Sequence, residues 1–103
     1  MQKQKYKFYK NKITKMHPSI EISSNGKRWR NMEMTSHPTK NGRFIKLKEN
    51  PGPDKSKQSY IRKYLRNDPI RTRGELLKKY NLSEEDLIEI EKFLLQHSKN
   101  KKS

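Results

Sequence analysis

Large aliphatic and phenylalanine side chains are scarce in this chain, and their scarcity limits the core that it can build. Leu, Ile and Phe together supply nineteen of the 103 residues, and Val and Ala are absent. A formal net charge of +15 accompanies this shortage, and the combination lies near the composition of disordered chains. The sequence therefore predicts one small domain with a modest core and disordered ends at about residues 1–6 and 98–103.

The positive charge is concentrated in the first three quarters of the chain. Residues 1–50 hold thirteen Lys or Arg against three acids, and residues 51–73 hold seven against two. Residues 74–97 reverse the sign, with six acids against three bases. The basic residues 1–73 favour a polyanion as partner, because counterions released when phosphates are bound increase the affinity. We expect a nucleic acid, RNA rather than DNA, with an acidic protein as the alternative partner. Lysine that only keeps the protein soluble is the competing explanation.

The chain contains no cysteine, so we expect neither a disulfide nor a thiolate metal site, as in a reducing cytoplasm. No apolar run is long enough to span a membrane, and the basic N-terminus lacks the apolar stretch of a signal peptide. We predict a soluble cytoplasmic protein with no membrane association and no cofactor. His17 and His37 do not form a metal site by spacing alone, because no third or fourth ligand is evident.

The first half of the sequence is typical of β structure. Ile20 and Ile22 alternate with polar residues, which is the two-residue period of a half-buried strand. Asn25-Gly26 follows and is a strong hairpin signal, because both central positions of a type I′ turn need positive φ. The return strand is predicted over residues 27–34, and we expect its three largest apolar side chains to share one face: Trp29, Met32 and Met34.

A third strand is predicted over residues 43–48, and Asn50-Pro51-Gly52-Pro53 ends the β region because proline and glycine interrupt regular pairing. Apolar residues at helical spacing then predict helices over residues 56–66, 74–80 and 84–97. The predicted fold class is α+β. It consists of a small antiparallel sheet or SH3-like barrel over about residues 12–48, followed by two or three helices within about residues 55–97.

The last predicted helix has clear boundary signals. Ser83 is a good N-cap, and Leu82 and Leu87 occupy the positions of a hydrophobic staple. Acids in the first turn face the positive end of the helix dipole. Five acids in all argue against use of this helix as a DNA-recognition helix, because they would face phosphates.

Two imidazoles, two hydroxyls and a guanidinium fall at predicted strand ends. The candidate catalytic residues are His17, Thr35, Ser36, His37 and Arg43. An arginine can clamp a phosphate through two hydrogen bonds, and a histidine can move protons between a 2′-hydroxyl and a leaving 5′-oxygen. Each of these residues alone also fits a turn, in which its side chain bonds the local backbone.

A second set of side chains is predicted to contact nucleic acid without catalysis. Trp29 stands between Arg28 and Arg30, where it would either stack on a base or fill the core. The guanidinium and ammonium groups would bind the phosphate backbone. The complete predicted set is Lys27, Arg28, Trp29, Arg30, Lys40, Arg62 and Arg66.

Three segments, His17-Pro18-Ser19-Ile20-Glu21-Ile22, Asn31-Met32-Glu33-Met34-Thr35-Ser36 and Gly42-Arg43-Phe44-Ile45-Lys46-Leu47, resemble the core of PemK/MazF-type toxins. The similarity covers about 35 residues. It implies a small SH3-like barrel, a metal-free endoribonuclease activity with Thr35 and Ser36 at the phosphate, a homodimer, and neutralisation by an antitoxin.

Three hypotheses follow for function. The first is a toxin-like endoribonuclease that needs no metal. The second is a non-catalytic DNA- or RNA-binding module of a phage, plasmid or other mobile element. The third is a basic protein that docks on an acidic protein partner.

Overall fold

The computed structural model describes residues 5–101, and the side chains of residues 5–99. Expectations for residues 1–4 and 102–103 lie outside the described residues. The elements are β1 (Lys7–Asn11), β2 (His17–Ser24), β3 (Arg28–Thr35), β4 (Phe44–Lys46), β5 (Tyr60–Arg62), β6 (Arg66–Pro69), a 3₁₀ turn (Ile70–Thr72), β7 (Arg73–Leu76) and α1 (Glu84–Lys101).

The seven strands pair antiparallel in one curled sheet. Its order is β4-β5-β3-β2-β1-β7, and β6 also pairs with β3. The 3₁₀ turn joins β6 to β7 although three strands separate them in the sheet. A flat sheet would hold β6 and β7 about 19 Å apart, which three residues cannot span. The sheet therefore bends until these two strands approach each other.

The apolar core lies on one face of this sheet, between the strands and α1. Phe8, Ile20 and Met32 are cross-strand neighbours with no exposed surface. Ile61 of β5 and Ile90 of α1 pack into the same cluster and are equally buried. Burying one such side chain contributes about 1.5–3 kcal/mol, so this small set supplies much of the hydrophobic stabilisation.

The opposite face carries a chain of buried hydrogen bonds. The Asn11 amide nitrogen donates to Ser19 Oγ at 3.2 Å and to Asn31 Oδ1 at 3.1 Å. The Asn31 amide nitrogen donates in turn to Asp68 Oδ2 at 3.0 Å. Among the described residues, every buried side-chain nitrogen and oxygen has a partner. These bonds hold β1, β2, β3 and β6 in one register.

Trp29 is buried on the face of this polar chain and not beside Met32. Side chains alternate along a strand, so two residues three positions apart point to opposite faces. The indole Nε1 donates to Thr72 Oγ1 at 3.0 Å, and the Tyr9 ring packs against the indole at 6.1 Å. The prediction that Trp29 shares a face with Met32 and Met34 is wrong for this reason.

The prediction of two or three helices after the sheet is wrong, because the described residues form one helix and a mostly β fold. Residues 56–66 contain β5 and the start of β6. The predicted helix would place Ile61 and Tyr64 on one buried face. In the structure Ile61 is fully buried between Met34 and Ile45, while Tyr64 is 58% exposed. Pairing with neighbouring strands overrides the local periodicity.

Residues 74–80 are likewise not helical, and Gly74 gives the reason. A Cβ at this position would lie 2.8 Å from the carbonyl oxygen of Lys10. β7 therefore approaches β1 as closely as glycine alone permits. Leu76, which the sequence placed on a helix, is instead the last residue of β7 and pairs with Tyr9 of β1.

The β2–β3 hairpin is present where Asn25-Gly26 predicts it. Gly26 has a φ of +86° and is the first central residue of the turn, because the Asn25 N–H donates to the Arg28 carbonyl at 3.1 Å. The Asn25 side chain accepts from the N–H groups of Lys27 and Arg28 at 3.0 and 2.9 Å. The prediction of a type I′ turn with Asn25 and Gly26 as its central pair is therefore wrong, because among the described turn residues Gly26 alone has a positive φ and Asn25 closes the turn from its flank.

Helix α1 begins as its boundary signals predict. The Asp86 N–H donates to Ser83 Oγ at 3.2 Å, which is the bond of an N-cap. Asp86 itself is buried, and its carboxylate accepts from the N–H groups of Lys48 and Glu49 at 2.8 and 3.2 Å. These bonds tie the start of α1 to the segment after β4. Within residues 5–101, no helix combines the length and the apolar character that crossing a lipid bilayer requires.

Candidate nucleic-acid interface at the open end of the β2–β3 hairpin

His17 and Thr35 lie side by side at the open end of the hairpin, because β2 begins where β3 ends. Ser19 pairs with Glu33, and this register continued by two residues sets His17 opposite Thr35. Thr35 pairs on its other side with Tyr60 of β5. The three side chains therefore form a row across one face of the sheet.

A polar cleft of about 140 Å³ opens at this row, and we call it the strand-end cleft. His17, Thr35 and Ser36 line it, so the structure brings together three of the five predicted catalytic residues. Its remaining lining residues are Pro18, Met34, Asn50, Lys57, Ser59 and Tyr80. An imidazole, several hydroxyls and an ammonium group are donors that can hold a phosphate oxygen.

His37 lies next to the strand-end cleft through its bond to Ser36. Ser36 Oγ and His37 Nδ1 are 2.9 Å apart, and the tautomer of the ring decides which of them donates. The His37 N–H donates to Thr35 Oγ1 at 3.1 Å, a local bond typical of turns that start at threonine. The turn therefore brings a second imidazole beside the hydroxyls of the cleft.

The loop of residues 50–59 supplies the cation of the cleft. Buried Ser59 donates from Oγ to Asn50 Oδ1 at 2.6 Å, and the Asn50 amide donates to the Asp54 carbonyl oxygen at 2.6 Å. These bonds fix both ends of the loop. Lys57 is exposed between them. The pKa of the Asp54 carboxylate in the same loop is lowered by hydrogen bonds from Ser56 and further by the Lys57 charge, so an anion in the cleft would share this ammonium with Asp54.

Sequence reasoning missed four cleft residues, namely Asn50, Lys57, Ser59 and Tyr80. Lys57 and Ser59 were expected on a helix, and Tyr80 was expected in a helical core. The signal in the sequence was Gly52 within the Pro-Gly-Pro run. A Cβ on Gly52 would lie 3.0 Å from Tyr80 Cζ, so glycine allows this loop to fold against the tyrosine at the cleft.

Arg43 is not part of the strand-end cleft. It lines a separate groove of about 200 Å³ against α1, together with Lys63, Lys92 and Phe93. The Arg43 carbonyl accepts from the Lys63 N–H at 2.8 Å, which holds this segment beside β5. The expectation that Arg43 lies beside His17 is therefore corrected, and the cation that lines the cleft is Lys57.

Two members of the predicted binding set are occupied inside the protein. Trp29 has no exposed surface, so the alternative in which it stacks on a base is corrected in favour of burial, on the face of the sheet opposite the main apolar cluster. The Arg66 guanidinium donates to the Asp68 carboxylate at 3.0 and 3.3 Å. Burial alone would raise the pKa of Asp68, but the bonds from Arg66 and Asn31 outweigh it and hold the pKa below its usual range.

The other predicted cations are distributed over the surface. Lys27 and Arg28 lie at the tip of the hairpin, about 23 Å along β2 from the cleft. Arg28 donates to the side chain and the carbonyl of Asn67 at 2.9 and 2.7 Å. Arg30 is half-buried, while Lys40 and Arg62 are exposed. Arg62 shares its face of β5 with Tyr60, and its guanidinium lies 4.0 Å from the Glu33 carboxylate.

No group of three His, Asp or Glu side chains suited to a metal ion occurs in residues 5–101. What the cleft itself offers is hydrogen bonding, positive charge and proton transfer by imidazole. Comparison of the chain with protein-family models, with curated proteins and with solved structures gives no match in any of the three.

Proposed function

We propose that this protein binds RNA and cleaves a phosphodiester bond in the strand-end cleft, using its own side chains for proton transfer. One observation carries the proposal: His17, Thr35, Ser36 and Lys57 line one small cleft. The net charge of +15 supports it, because phosphates that replace counterions supply affinity without sequence recognition. The resemblance to PemK/MazF-type toxins gives the setting: a toxin–antitoxin pair, or another function of a mobile element, in the cytoplasm.

The cleft, together with His37 in the turn beside it, would supply the groups for a transesterification. One imidazole, of His17 or His37, removes the proton from a 2′-hydroxyl, and the oxygen forms a bond to phosphorus. The bond from phosphorus to the 5′-oxygen breaks, and the other imidazolium gives its proton to the leaving oxygen. Lys57 and the hydroxyls of Thr35 and Ser36 stabilise the charge on the phosphoryl oxygens. The products are a 2′,3′-cyclic phosphate and a 5′-hydroxyl.

The surface beside the cleft favours a single-stranded substrate. Tyr60 is the cross-strand partner of Thr35, and the Phe44 ring lies 6.5 Å from the Tyr60 ring at an angle of 79°. Both aromatics are partly exposed, and Lys46 and Arg62 share their face of the sheet. Aromatic rings among cations suit unpaired bases, which can stack once they are free of a duplex.

A cleavage assay with matched histidine variants tests the proposal. Purified protein is incubated with labelled single-stranded RNA, with and without a chelator, and the products are resolved by length. We expect chelator-resistant cleavage that falls at least about a hundredfold in His17→Ala, the usual effect of losing a general acid or base. His97→Ala is the control, because His97 packs on Phe93 of α1 and is not a cleft residue.

Other outcomes separate the alternatives. The all-deoxy version of the same strand should bind and remain intact, because it has no 2′-hydroxyl. Salt-dependent binding without cleavage of RNA would contradict catalysis and favour a non-catalytic module. Absence of both binding and cleavage would overturn the proposal and favour docking on an acidic protein.

A further inference from the structure

A second hollow adjoins the strand-end cleft. It is lined by Pro53 and by residues 75–80, which are the end of β7 and the irregular segment after it, and we call it the 75–80 groove. Its volume is about 600 Å³, against about 140 Å³ for the cleft. Tyr80 lines both hollows, and the loop that contributes Pro53 to the groove contributes Lys57 to the cleft. The two hollows therefore share a wall.

Backbone hydrogen bonds hold the 75–80 groove in shape. The Leu77 N–H donates to the carbonyl of Phe8 in β1 at 2.8 Å, and the Asn81 N–H donates to the Pro51 carbonyl at 3.0 Å. The Tyr80 ring packs against the Phe8 ring with a centroid distance of 5.7 Å. The segment is thus attached to the sheet and to the loop that borders the cleft. A ligand that binds there has little chain to order, which lowers the cost of binding.

The side chains of the groove suit a single strand of nucleic acid. Lys78 and Lys79 are exposed there, and Glu75, the acid in the lining, pairs with Lys10 at 3.2 Å. Tyr80 adds a partly exposed aromatic ring. Proteins hold single strands with this combination, in which cations follow the phosphates and aromatic rings contact the bases.

The fold also separates these two lysines from the acids near them in sequence. Residues 74–97 hold six acids and three bases, so this part of the sequence has a net negative charge. Five of the six acids lie on α1, and the lining of the groove, all of it within residues 53–80, holds none of those five. The sequence charge pattern therefore hides a cationic surface beside the cleft.

We propose that the nucleotides on one side of the scissile phosphate pass Tyr80 and bind in the 75–80 groove, with their phosphates at Lys78 and Lys79. This inference rests on the proposed function, because it needs the scissile phosphate in the strand-end cleft. The nucleotides on the other side meet Tyr60 of β5. Tyr80 instead packs on β1, and β1 and β5 lie on opposite sides of the β2–β3 hairpin. The two flanks of the strand therefore contact different aromatic side chains.

Chimeric strands test the inference, because a single ribonucleotide among deoxynucleotides fixes the only bond that can break. A short strand carries one deoxynucleotide on each side of the ribonucleotide, and two longer strands extend it by about six nucleotides on the 5′ or the 3′ side. Cleavage of each strand by the full chain gives kcat/KM. We expect one of the two extensions to raise kcat/KM about tenfold, because it adds two phosphate contacts.

A double variant locates this gain. In Lys78→Ala/Lys79→Ala the ratio of kcat/KM between that extended strand and the short strand should fall to about one, and the ratio cancels any general loss of activity. The control Lys63→Ala/Lys92→Ala removes the same two charges from the separate groove against α1 and should keep the ratio. Circular dichroism of both variants verifies that the fold is retained.

Salt dependence gives a second measurement on the all-deoxy form of the extended strand. Each phosphate contact on a single strand contributes about 0.7 to the slope of log affinity against log salt concentration. Fluorescence anisotropy should therefore give a slope that is shallower by about 1.4 in Lys78→Ala/Lys79→Ala than in the wild type. The slope of Lys63→Ala/Lys92→Ala should equal that of the wild type.

The outcomes distinguish this inference from the proposed function. Cleavage of the short strand with no gain from either extension would overturn the inference alone. A gain that survives in Lys78→Ala/Lys79→Ala, or that both double variants lose equally, would also overturn it, since the flank would then bind elsewhere or respond only to total charge. If the wild type cleaves none of the strands, the proposed function fails and this inference fails with it.

Discussion

Asp68 is the acid at which the polar chain inside the sheet ends, and it makes stability depend on pH. Its pKa is lowered below the ordinary 3.8 despite burial, because Arg66 and Asn31 donate to the carboxylate. A lowered pKa in the folded state contributes stability above the unfolded pKa, and this contribution is lost as pH falls through the folded value. We therefore expect the free energy of unfolding to decline below about pH 4.

The variant Asp68→Asn should be destabilised at neutral pH and should lose part of this acid dependence. Breaking a partly buried ion pair leaves Arg66 without its partner, and we expect a loss of about 3 kcal/mol. Urea titrations followed by Trp29 fluorescence at pH 7 and pH 3 give both values, because the indole is buried only in the folded state. Glu75→Gln is the control, since Glu75 is 70% exposed and pairs with Lys10 at the surface. An unchanged acid dependence in Asp68→Asn would contradict this account.

The residues of the strand-end cleft were predicted in part. His17, Thr35 and Ser36 could be found from sequence because they sit at the ends of paired strands, where register alone brings them together. Lys57 and Tyr80 could not, because they reach the cleft on irregular segments whose path depends on packing around Gly52. Arg43 was predicted at the wrong site because it directly precedes β4, and the local sequence does not determine which face of the sheet its side chain occupies.

At the scale of elements, Asp86 is the link between α1 and the sheet. Its buried carboxylate accepts from the N–H groups of Lys48 and Glu49. In a capping box the same carboxylate would instead accept from the backbone N–H of the N-cap residue. Asp86→Ala leaves these N–H groups without acceptors and should lower the free energy of unfolding by about 2–3 kcal/mol.

Glu85→Ala is the matched control for this variant. Glu85 stands one residue earlier and pairs at the surface with Lys48 at 2.6 Å, and exposed pairs contribute about 1 kcal/mol or less. Urea unfolding of both variants measures the difference. Equal losses in the two variants would show that the first turn needs only negative charge and that the bonds to Lys48 and Glu49 are unimportant.

The elements themselves differ in how far local sequence determines them. Helix α1 carries its own N-cap, acidic first turn and apolar stripe, so it is predictable without knowledge of the rest. The position of the β2–β3 hairpin is predictable because Gly26 supplies a positive φ and Asn25 bonds the backbone of the turn, although the turn type is not the predicted one. By contrast, β5, β6 and β7 are three or four residues long. Strands of this length have no periodicity of their own, and partners distant in sequence determine them.

At the scale of the whole molecule, a curled sheet holds a small core on one face and a buried polar chain near the other. The sheet positions the strand-end cleft at the open end of its central hairpin, on a protein whose net charge is +15. The central claim is that the cleft localises phosphate, so that a cation within it matters more than an equal charge elsewhere. If only the total charge mattered, every exposed lysine would contribute equally to RNA affinity.

The most direct test compares two lysine variants of identical net charge. Lys57→Ala removes the cation of the cleft, and Lys63→Ala removes one from the separate groove against α1. Fluorescence anisotropy with labelled single-stranded RNA, at one fixed salt concentration, measures the affinity of each. The account predicts that Lys57→Ala weakens binding about tenfold and that Lys63→Ala weakens it less than about twofold. Equal losses in the two variants would contradict it.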